Sequence, residues 1–225
     1  MPTAGGAVAI WHDIVPEGLA EFYAWHGEEH MPERVAIPGF VRGRRFAAVE
    51  AELGFFNLYE TASPDVVASA DYKQRLDNPT PRTLSAVRHF HHVARSLCRV
   101  AVRTGTAQGG LLATLRHAVV AGLEPQYRAR MIDGIIPALA AMPGVASVLL
   151  LEADLAASGY VNAEQQVRGA ANQVPPFVLV CEGWAEPADF IATVRSALRD
   201  DVRAKAGLVP GSALDIYRHQ LTTVK

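Results

Sequence analysis

The sequence repeats its landmarks at a spacing of 105 residues, the distance from His12 to His117, and no other feature limits its possible folds as strongly. Four landmarks coincide when the chain is shifted by this amount: His12 with His117, Phe22 with Tyr127, Pro32 with Pro137, and Pro38-Gly39 with Pro143-Gly144. Proline and glycine interrupt helices, so shared positions for them are hard to obtain by chance. The sequence therefore predicts two copies of one unit.

From the third predicted strand onward, equivalent residues of the two copies are 122 residues apart instead of 105. There the apolar run FFNLYE at 55–60 matches FVLVCE at 177–182. Since 122 exceeds 105 by 17, the second copy carries about 17 additional residues before its third strand. The stretch 156–176 is polar and contains Gly and Ala, so we expect this insertion to be an exposed loop.

Each copy shows the same order of elements. In the first copy we expect a strand at 7–13, a helix from Pro16 to before Pro38, strands at 40–49 and 54–61, a helix over 63–76 and a strand at 93–102. The second copy follows with a strand at 111–116, a helix at 124–142, strands at 146–152 and 177–184, a helix at 188–204 and a strand at 213–218. The order βαββαβ, present twice, predicts an α+β protein of two ferredoxin-like repeats, residues 1–108 and 109–225. One such repeat leaves a sheet face bare, so we expect the two antiparallel sheets to pack face to face as a barrel with the helices outside.

The amino-acid composition argues against some classes of binding partner. Lys and Arg total 21 against 23 Asp and Glu, and no apolar run is long enough to span a bilayer, so we expect neither nucleic acid nor membrane as a partner. The first residues lack the pattern of a signal peptide, which predicts a cytoplasmic protein. Cys98 and Cys181 lie in apolar runs, which favours two reduced, buried thiols.

His26, Glu29 and His30 are the main candidates for chemistry. Positions four apart share a helix face, so the two imidazoles and a carboxylate are expected to lie together. An imidazole could exchange a proton near neutral pH, and Glu29 could fix its tautomer and raise its basicity. The alternative is that these groups are solvated or satisfy one another at the edge of the core.

The repeat sharpens this hypothesis. The three residues correspond to Met131, Gly134 and Ile135 in the second copy, where the side chains are apolar or absent. Burying ionisable groups is unfavourable unless they are satisfied, and a functional site is one reason to retain them. We therefore expect the functional pocket in the first repeat, with the second repeat as scaffold.

Several neighbours are candidate walls of that pocket. The predicted substrate-binding residues are Trp11, Trp25, Arg45 and Tyr59. The aromatic residues could equally belong to the core, and Arg42, Arg44 and Arg45 could be the solvated side of an edge strand. His12 recurs as His117, which favours a structural role for both.

The sequence also bears on a metal site and on a dimer. The run HGEEH at 26–30 also matches the H-x-x-E-H pattern of zinc proteases, but a catalytic zinc needs a third protein ligand and none stands out. His89, His91 and His92 are explained as an exposed polar strand edge. We expect no metal and no cofactor, and a small molecule as the ligand. A homodimer is possible, and an exposed sheet edge could drive it.

The run WHGEEHMPER at 25–34, followed by IPGF at 37–40 and RGRRF at 42–46, resembles the first helix and second strand of the dimeric α+β barrel superfamily. The likeness is greatest to the EthD-like and antibiotic-biosynthesis-monooxygenase-like proteins. It implies a barrel that a single duplicated chain forms alone, and a cofactor-free monooxygenase or isomerase acting on a hydrophobic, oxygenated, aromatic or polyketide-like substrate. A non-catalytic ligand-binding protein and a haem protein with His26 or His30 as axial ligand are the alternatives.

Overall fold

Eight antiparallel strands form one closed barrel in the computed structural model, which describes residues 4–225. The strands are β1 Gly6–Ile14, β2 Phe40–Glu50, β3 Phe55–Thr61, β4 Phe90–Thr104, β5 Leu111–His117, β6 Val145–Ala153, β7 Phe177–Gly183 and β8 Ala213–Val224. Around the barrel they follow the order β1-β3-β2-β8-β5-β7-β6-β4.

The barrel consists of two arcs with the same strand order. The first arc runs β4-β1-β3-β2 and the second β8-β5-β7-β6, each in the 4-1-3-2 order of a ferredoxin-like sheet. The arcs join through the pairs β2–β8 and β4–β6. The predicted α+β fold, a tandem duplication closed into a barrel, is confirmed. The division at residue 108 stays a prediction, and residues 1–3 of the first predicted repeat lie outside the described part.

Every strand in residues 4–225 has a neighbour on both sides. The exposed sheet edge that was expected as a route to a homodimer is therefore not present in this part of the chain, and a homodimer itself stays a prediction. In the same range, no helix has the length and apolar character to cross a membrane.

Helices lie outside the barrel, whose interior is filled by strand side chains such as Trp11, Phe56 and Tyr217. The α-helices are α1 Leu19–Trp25, α2 Met31–Ala36, α3 Ala70–Asp77, α4 Pro81–Ala86, α5 Glu124–Arg130, α6 Ile136–Ala140, α7 Leu155–Ser158, α8 Ala163–Arg168, α9 Pro187–Ala197 and α10 Asp200–Lys205. The helix predicted over 63–76 is instead a 3-10 helix, Pro64–Ala68, followed by α3, and α4 was not predicted.

The two repeats also share details of backbone conformation. A π-helical turn joins α1 to α2 at His26–His30, and another joins α5 to α6 at Met131–Ile135. A proline follows each turn, and its ring clashes with the carbonyl four residues earlier in a regular α-helix, which the wider turn avoids. After the two helices, Gly39 and Gly144 have φ +87° and +81° in the tight turns that lead into β2 and β6. In these turns the Phe40 amide donates to the Ile37 carbonyl and the Val145 amide donates to the Met142 carbonyl, and the left-handed position favours glycine. The repeated Pro-Gly pairs are thus explained by the turns they form.

The insertion at 156–176 is not the exposed loop that was expected. It contains most of α7 and the whole of α8, and the side chain of Asn162 caps α8 by accepting a hydrogen bond from the Gln165 amide at 2.9 Å. Asn162 and Glu164 are buried, and the Arg95 amide donates to the Gln173 carbonyl at 2.8 Å. This segment of the second repeat therefore packs against the first.

A buried ion pair links the two arcs inside the barrel. Arg44 on β2 donates two hydrogen bonds of 2.8 Å to the carboxylate of Glu182 on β7, and lies 3.4 Å from Glu60 on β3. All three side chains are buried. Arg44 is thus not on the solvated side of an edge strand, because β8 pairs with β2 on that side.

Candidate functional site

A small cavity of about 50 Å³ lies against the outer face of the first arc. We call it the first-repeat cavity, and its polar residues from that repeat are His26, His30, Arg34, Asn57, Tyr59 and Arg95. The insertion closes it with Asn162, Glu164 and Arg168. Residues of the second repeat therefore form part of a wall that the sequence prediction placed in the first repeat alone.

His26 is held between two side chains of the sheet. The Nη1 atom of Arg45 lies 3.5 Å from its Nδ1, and the hydroxyl of Tyr59 lies 3.3 Å from its Nε2. If Arg45 donates to Nδ1, the proton of the neutral ring is on Nε2 and faces Tyr59. Burial, together with the nearby Arg45 charge, holds the pKa of His26 well below its ordinary value.

His30 has a freer ring. It packs on Trp25 with a centroid distance of 4.3 Å and lies 5.5 Å from the ring of His26. Its Nδ1 is buried without a hydrogen-bond partner. Burial and the Arg34 charge hold the pKa of His30 well below its ordinary value, so the ring is neutral near pH 7. A neutral imidazole with an unpartnered nitrogen can accept or share a proton with a bound molecule.

Four lining residues carry buried polar atoms without partners: His30 Nδ1, Arg34 Nη1, Asn57 Oδ1 and Arg95 Nη1. Buried polar groups are nearly always hydrogen-bonded, so a concentration of unsatisfied ones indicates a place for a ligand or for water. Three arginines line the cavity against one glutamate, Glu164, which is already paired with Arg34. The cavity therefore favours a ligand with anionic oxygen.

The predicted site residues separate into two groups. His26, His30, Trp25 and Tyr59 line the cavity, and Arg45 reaches it through its contact with His26. The other two predicted residues lie elsewhere.

Glu29 points away from the imidazoles. Its carboxylate accepts a hydrogen bond from the Thr80 hydroxyl and lies 3.9 Å from Arg82. The expected increase in histidine basicity from Glu29 is therefore wrong, since burial and arginines lower both pKa values. Trp11 is inside the barrel, where its indole N–H donates to Thr114 at 3.1 Å, so it does not line this cavity.

Sequence reasoning missed Arg34, Asn57, Arg95 and Glu164. Arg34 had a local signal, because it follows His30 by four residues on the same helix. For Asn57 and Arg95 the only signal was the alternation of side chains along a strand, which indicates a shared face of the sheet but not a site. Glu164 stands two residues after the capping Asn162, which marks a helix start but not the surface that the helix covers.

His12 and His117 serve the core, as their repetition predicts. Each stacks on the equivalent phenylalanine, His12 on Phe55 at 5.4 Å and His117 on Phe177 at 5.8 Å. Burial lowers the pKa of His12 to about 3 and that of His117 to about 4.

These buried imidazoles predict that the free energy of unfolding falls below about pH 6.5, the ordinary histidine pKa. The folded chain keeps the rings neutral while the unfolded chain protonates them, so acid favours unfolding. Between pH 7 and 5 each such histidine contributes about 2 kcal/mol of this loss. Urea unfolding of the wild type and of His117→Gln at both pH values checks it: the variant should lose about 2 kcal/mol less. Equal pH dependence of the two proteins would contradict the assignment of His117.

No protein-family model matches the sequence, and no curated protein matches it. Solved structures do match over nearly the whole chain. An anthrone oxidase-like protein is similar with a TM-score of 0.63 at 15% identity, over 98% of this chain and 93% of that one. A monooxygenase candidate from Fusobacterium nucleatum gives 0.59 at 10% identity, over 99% and 95%. A haem-binding protein from Thermus thermophilus gives 0.50 at 8% identity, over 97% and 92%.

Identities this low show the fold alone. The chain has the dimeric α+β barrel fold, with both halves of the barrel in one polypeptide. The fold that the motifs at 25–46 suggested is confirmed, and the chemistry is a separate question.

Proposed function

We propose that the chain is a small-molecule enzyme of the monooxygenase-like type that removes a proton from a hydrophobic, oxygenated substrate, aromatic or polyketide-like, in the first-repeat cavity. The observation that carries this proposal is the group of four unpartnered polar atoms in a cavity also lined by aromatic side chains. At the positions equivalent to His26 and His30, the second repeat has Met131, which is buried in a hydrocarbon core, and Ile135, which packs against that core. Only the first repeat is therefore equipped for polar chemistry at this position.

His30 is the proton acceptor in this proposal. Its Nδ1 is unpartnered, whereas both nitrogens of His26 face protein groups. The low pKa of His30 disfavours an isolated imidazolium, but a substrate anion beside the ring compensates the charge once the proton has moved. His26 is a positioning residue that Arg45 and Tyr59 hold in place.

Arg34 and Arg95 stabilise the anion. Both arginines line the cavity, and each has a guanidinium nitrogen without a hydrogen-bond partner, although Arg34 Nη1 lies 3.8 Å from the Glu33 carboxylate. Charge-assisted hydrogen bonds to an oxyanion are stronger than neutral ones. Stabilising a phenolate or enolate lowers the barrier to proton removal.

Molecular oxygen is the second substrate. For a substrate with a CH₂ group beside the conjugated system, the electron-rich anion reduces O₂, one oxygen atom forms a new carbon–oxygen bond, and the other leaves as water with the two hydrogens of that carbon. For an anthrone this converts the CH₂ group to a carbonyl with one O₂ consumed and one water released. His30 takes the first proton and returns it to the leaving oxygen.

An aromatic substrate is larger than the closed cavity, because sites for molecules of that size measure about 300–1,000 Å³. Binding therefore requires the insertion to move outward, which separates Glu164 from Arg34. A haem, which is larger still, would need a greater movement of the same kind, and His26 does not fit as its axial ligand because both of its nitrogens face protein groups.

Oxygen uptake tests the proposal. The purified protein, free of added metal or cofactor, is mixed with an anthrone or a quinol in an oxygen electrode, and the products are analysed by mass spectrometry. We expect catalysed uptake with one oxygen atom incorporated into product, measured with ¹⁸O₂. Uptake no faster than the buffer control for every compound in the panel would contradict the enzyme proposal.

A second candidate, non-catalytic binding of a small anion, is favoured by the size of the cavity. A volume of about 50 Å³ suits a few waters or a small oxyanion without any movement. Thermal stabilisation by a small carboxylate such as formate, with no oxygen uptake in the assay above, would favour this function.

A further inference from the structure

A second cluster of polar side chains lies where β1 ends and β4 begins. Asp13 on β1 is the cross-strand partner of His91 on β4, and His92 follows directly. None of these three lines the first-repeat cavity. The strand pairing fixes the backbones of two of them relative to each other.

The side chains converge on one point. The Nδ1 atoms of His91 and His92 lie 3.1 Å apart, and His92 Nδ1 lies 3.1 Å from a carboxylate oxygen of Asp13. The three ligand atoms all lie within 4.8 Å of one another. Bonds of about 2.0–2.1 Å from a tetrahedral metal ion place its ligand atoms about 3.3 Å apart, which is close to the two distances of 3.1 Å.

The ligands are also prepared for binding. The other oxygen of Asp13 accepts a hydrogen bond of 2.7 Å from the Gly54 amide, which orients the carboxylate and leaves one oxygen toward His92. His92 has φ +52°, an unfavourable backbone for a residue with a side chain, and it is the only such non-glycine residue in the range 4–225. Strained backbone of this kind is often retained at functional sites. The His92 side chain is 70% exposed, so an ion can reach the cluster from solution.

We propose that Asp13, His91 and His92 bind one divalent transition-metal ion, with water completing the coordination. Two imidazoles and a carboxylate suit Zn²⁺ or Ni²⁺ rather than Mg²⁺ or Ca²⁺, which prefer oxygen ligands. The bound ion links β1 to β4 at the end of the first arc. This site is independent of the proton transfer proposed above.

Zinc binding to tag-free protein tests this inference. After treatment with a chelator, equilibrium dialysis against Zn²⁺ should show one ion per chain, and Zn²⁺ should raise the melting temperature. Co²⁺ should give the visible absorption bands of a site with nitrogen ligands. A wild-type protein that binds no Zn²⁺ and gives no such Co²⁺ spectrum overturns the proposal.

Two variants locate the site. His92→Gly removes the imidazole and suits the left-handed backbone, and Asp13→Asn keeps the shape that the Gly54 amide contacts. Each should weaken Zn²⁺ binding at least about tenfold, since even an outer-shell partner contributes about 10- to 100-fold in known sites. His219→Ala, in which the lost imidazole bonds only Thr222, should bind as the wild type does. Unchanged affinity in both site variants would overturn the proposal, because the metal would then lie elsewhere.

Discussion

Replacing His30 by alanine is expected to lower kcat/KM for an oxygenated aromatic substrate about 10²- to 10⁴-fold, the usual contribution of a side chain that transfers a proton in the transition state. The ring is neutral, its Nδ1 has no hydrogen-bond partner, and two arginines that each have a nitrogen without a hydrogen bond line the same cavity. The loss should appear in kcat, because the proton moves only during the reaction. Oxygen-electrode kinetics of the wild type and the variant measure it.

The repeat supplies a matched control. Ile135 stands 105 residues after His30 in the equivalent π-helical turn, so Ile135→Ala removes a side chain from the same place in the other half. That variant should keep wild-type turnover. His30→Ala should also unfold cooperatively, which separates loss of chemistry from loss of fold. Turnover in His30→Ala equal to that of the wild type would remove His30 from the mechanism.

Removing the carboxylate of Glu182 is expected to lower the free energy of unfolding by about 3–5 kcal/mol, the range for breaking one partner out of a buried ion pair. Glu182→Ala leaves the guanidinium of Arg44 in the barrel interior without the two hydrogen bonds that Glu182 accepts. Glu60, at 3.4 Å, is shared with Arg42 and Arg103 and cannot replace it. Urea unfolding followed by tryptophan fluorescence measures the change.

The control for this prediction is an exposed pair. Arg199 and Asp201 lie 3.0 Å apart with side chains 60% and 50% exposed, and Asp201→Ala should change stability by less than about 1 kcal/mol. A second variant, Arg44→Met with Glu182→Leu, removes both charges and should recover much of the loss. Equal effects of Glu182→Ala and Asp201→Ala would show that burial does not strengthen the first pair.

The fold could be predicted because the residues that reveal the duplication determine local structure, which can be recognised without knowledge of distant contacts. Prolines, glycines and strand patterns mark the same turns in both copies, and Pro38-Gly39 and Pro143-Gly144 form the equivalent turns before β2 and β6. The burial of Arg44 could not be predicted in this way. It depends on which strand pairs with β2, and that strand, β8, begins 163 residues after β2 ends.

The candidate site was predicted in part for the same reason. His26 and His30 were identified because aligning the two copies shows apolar residues at the equivalent positions, and this alignment requires no knowledge of distant contacts. Glu29 was misplaced because the prediction assumed a regular α-helix, whereas the π-helical turn at 26–30 changes the angles between side chains. Glu164 and Arg168 could not be assigned to the cavity, since nothing local indicates that the insertion covers the other repeat.

The seam between β2 and β8 also governs how the chain reaches this fold. It pairs Arg42 with Val224, which are 182 residues apart in the sequence, so it can form only after β8 has been synthesised. Contacts between residues so far apart in the sequence slow folding, because the entropy of a long loop is lost before the contact adds any stability. Until the seam closes, the edges of β2 and β8 can pair with strands of other chains. Aggregation is therefore most favoured during folding, in a crowded solution and while the chain is still leaving the ribosome.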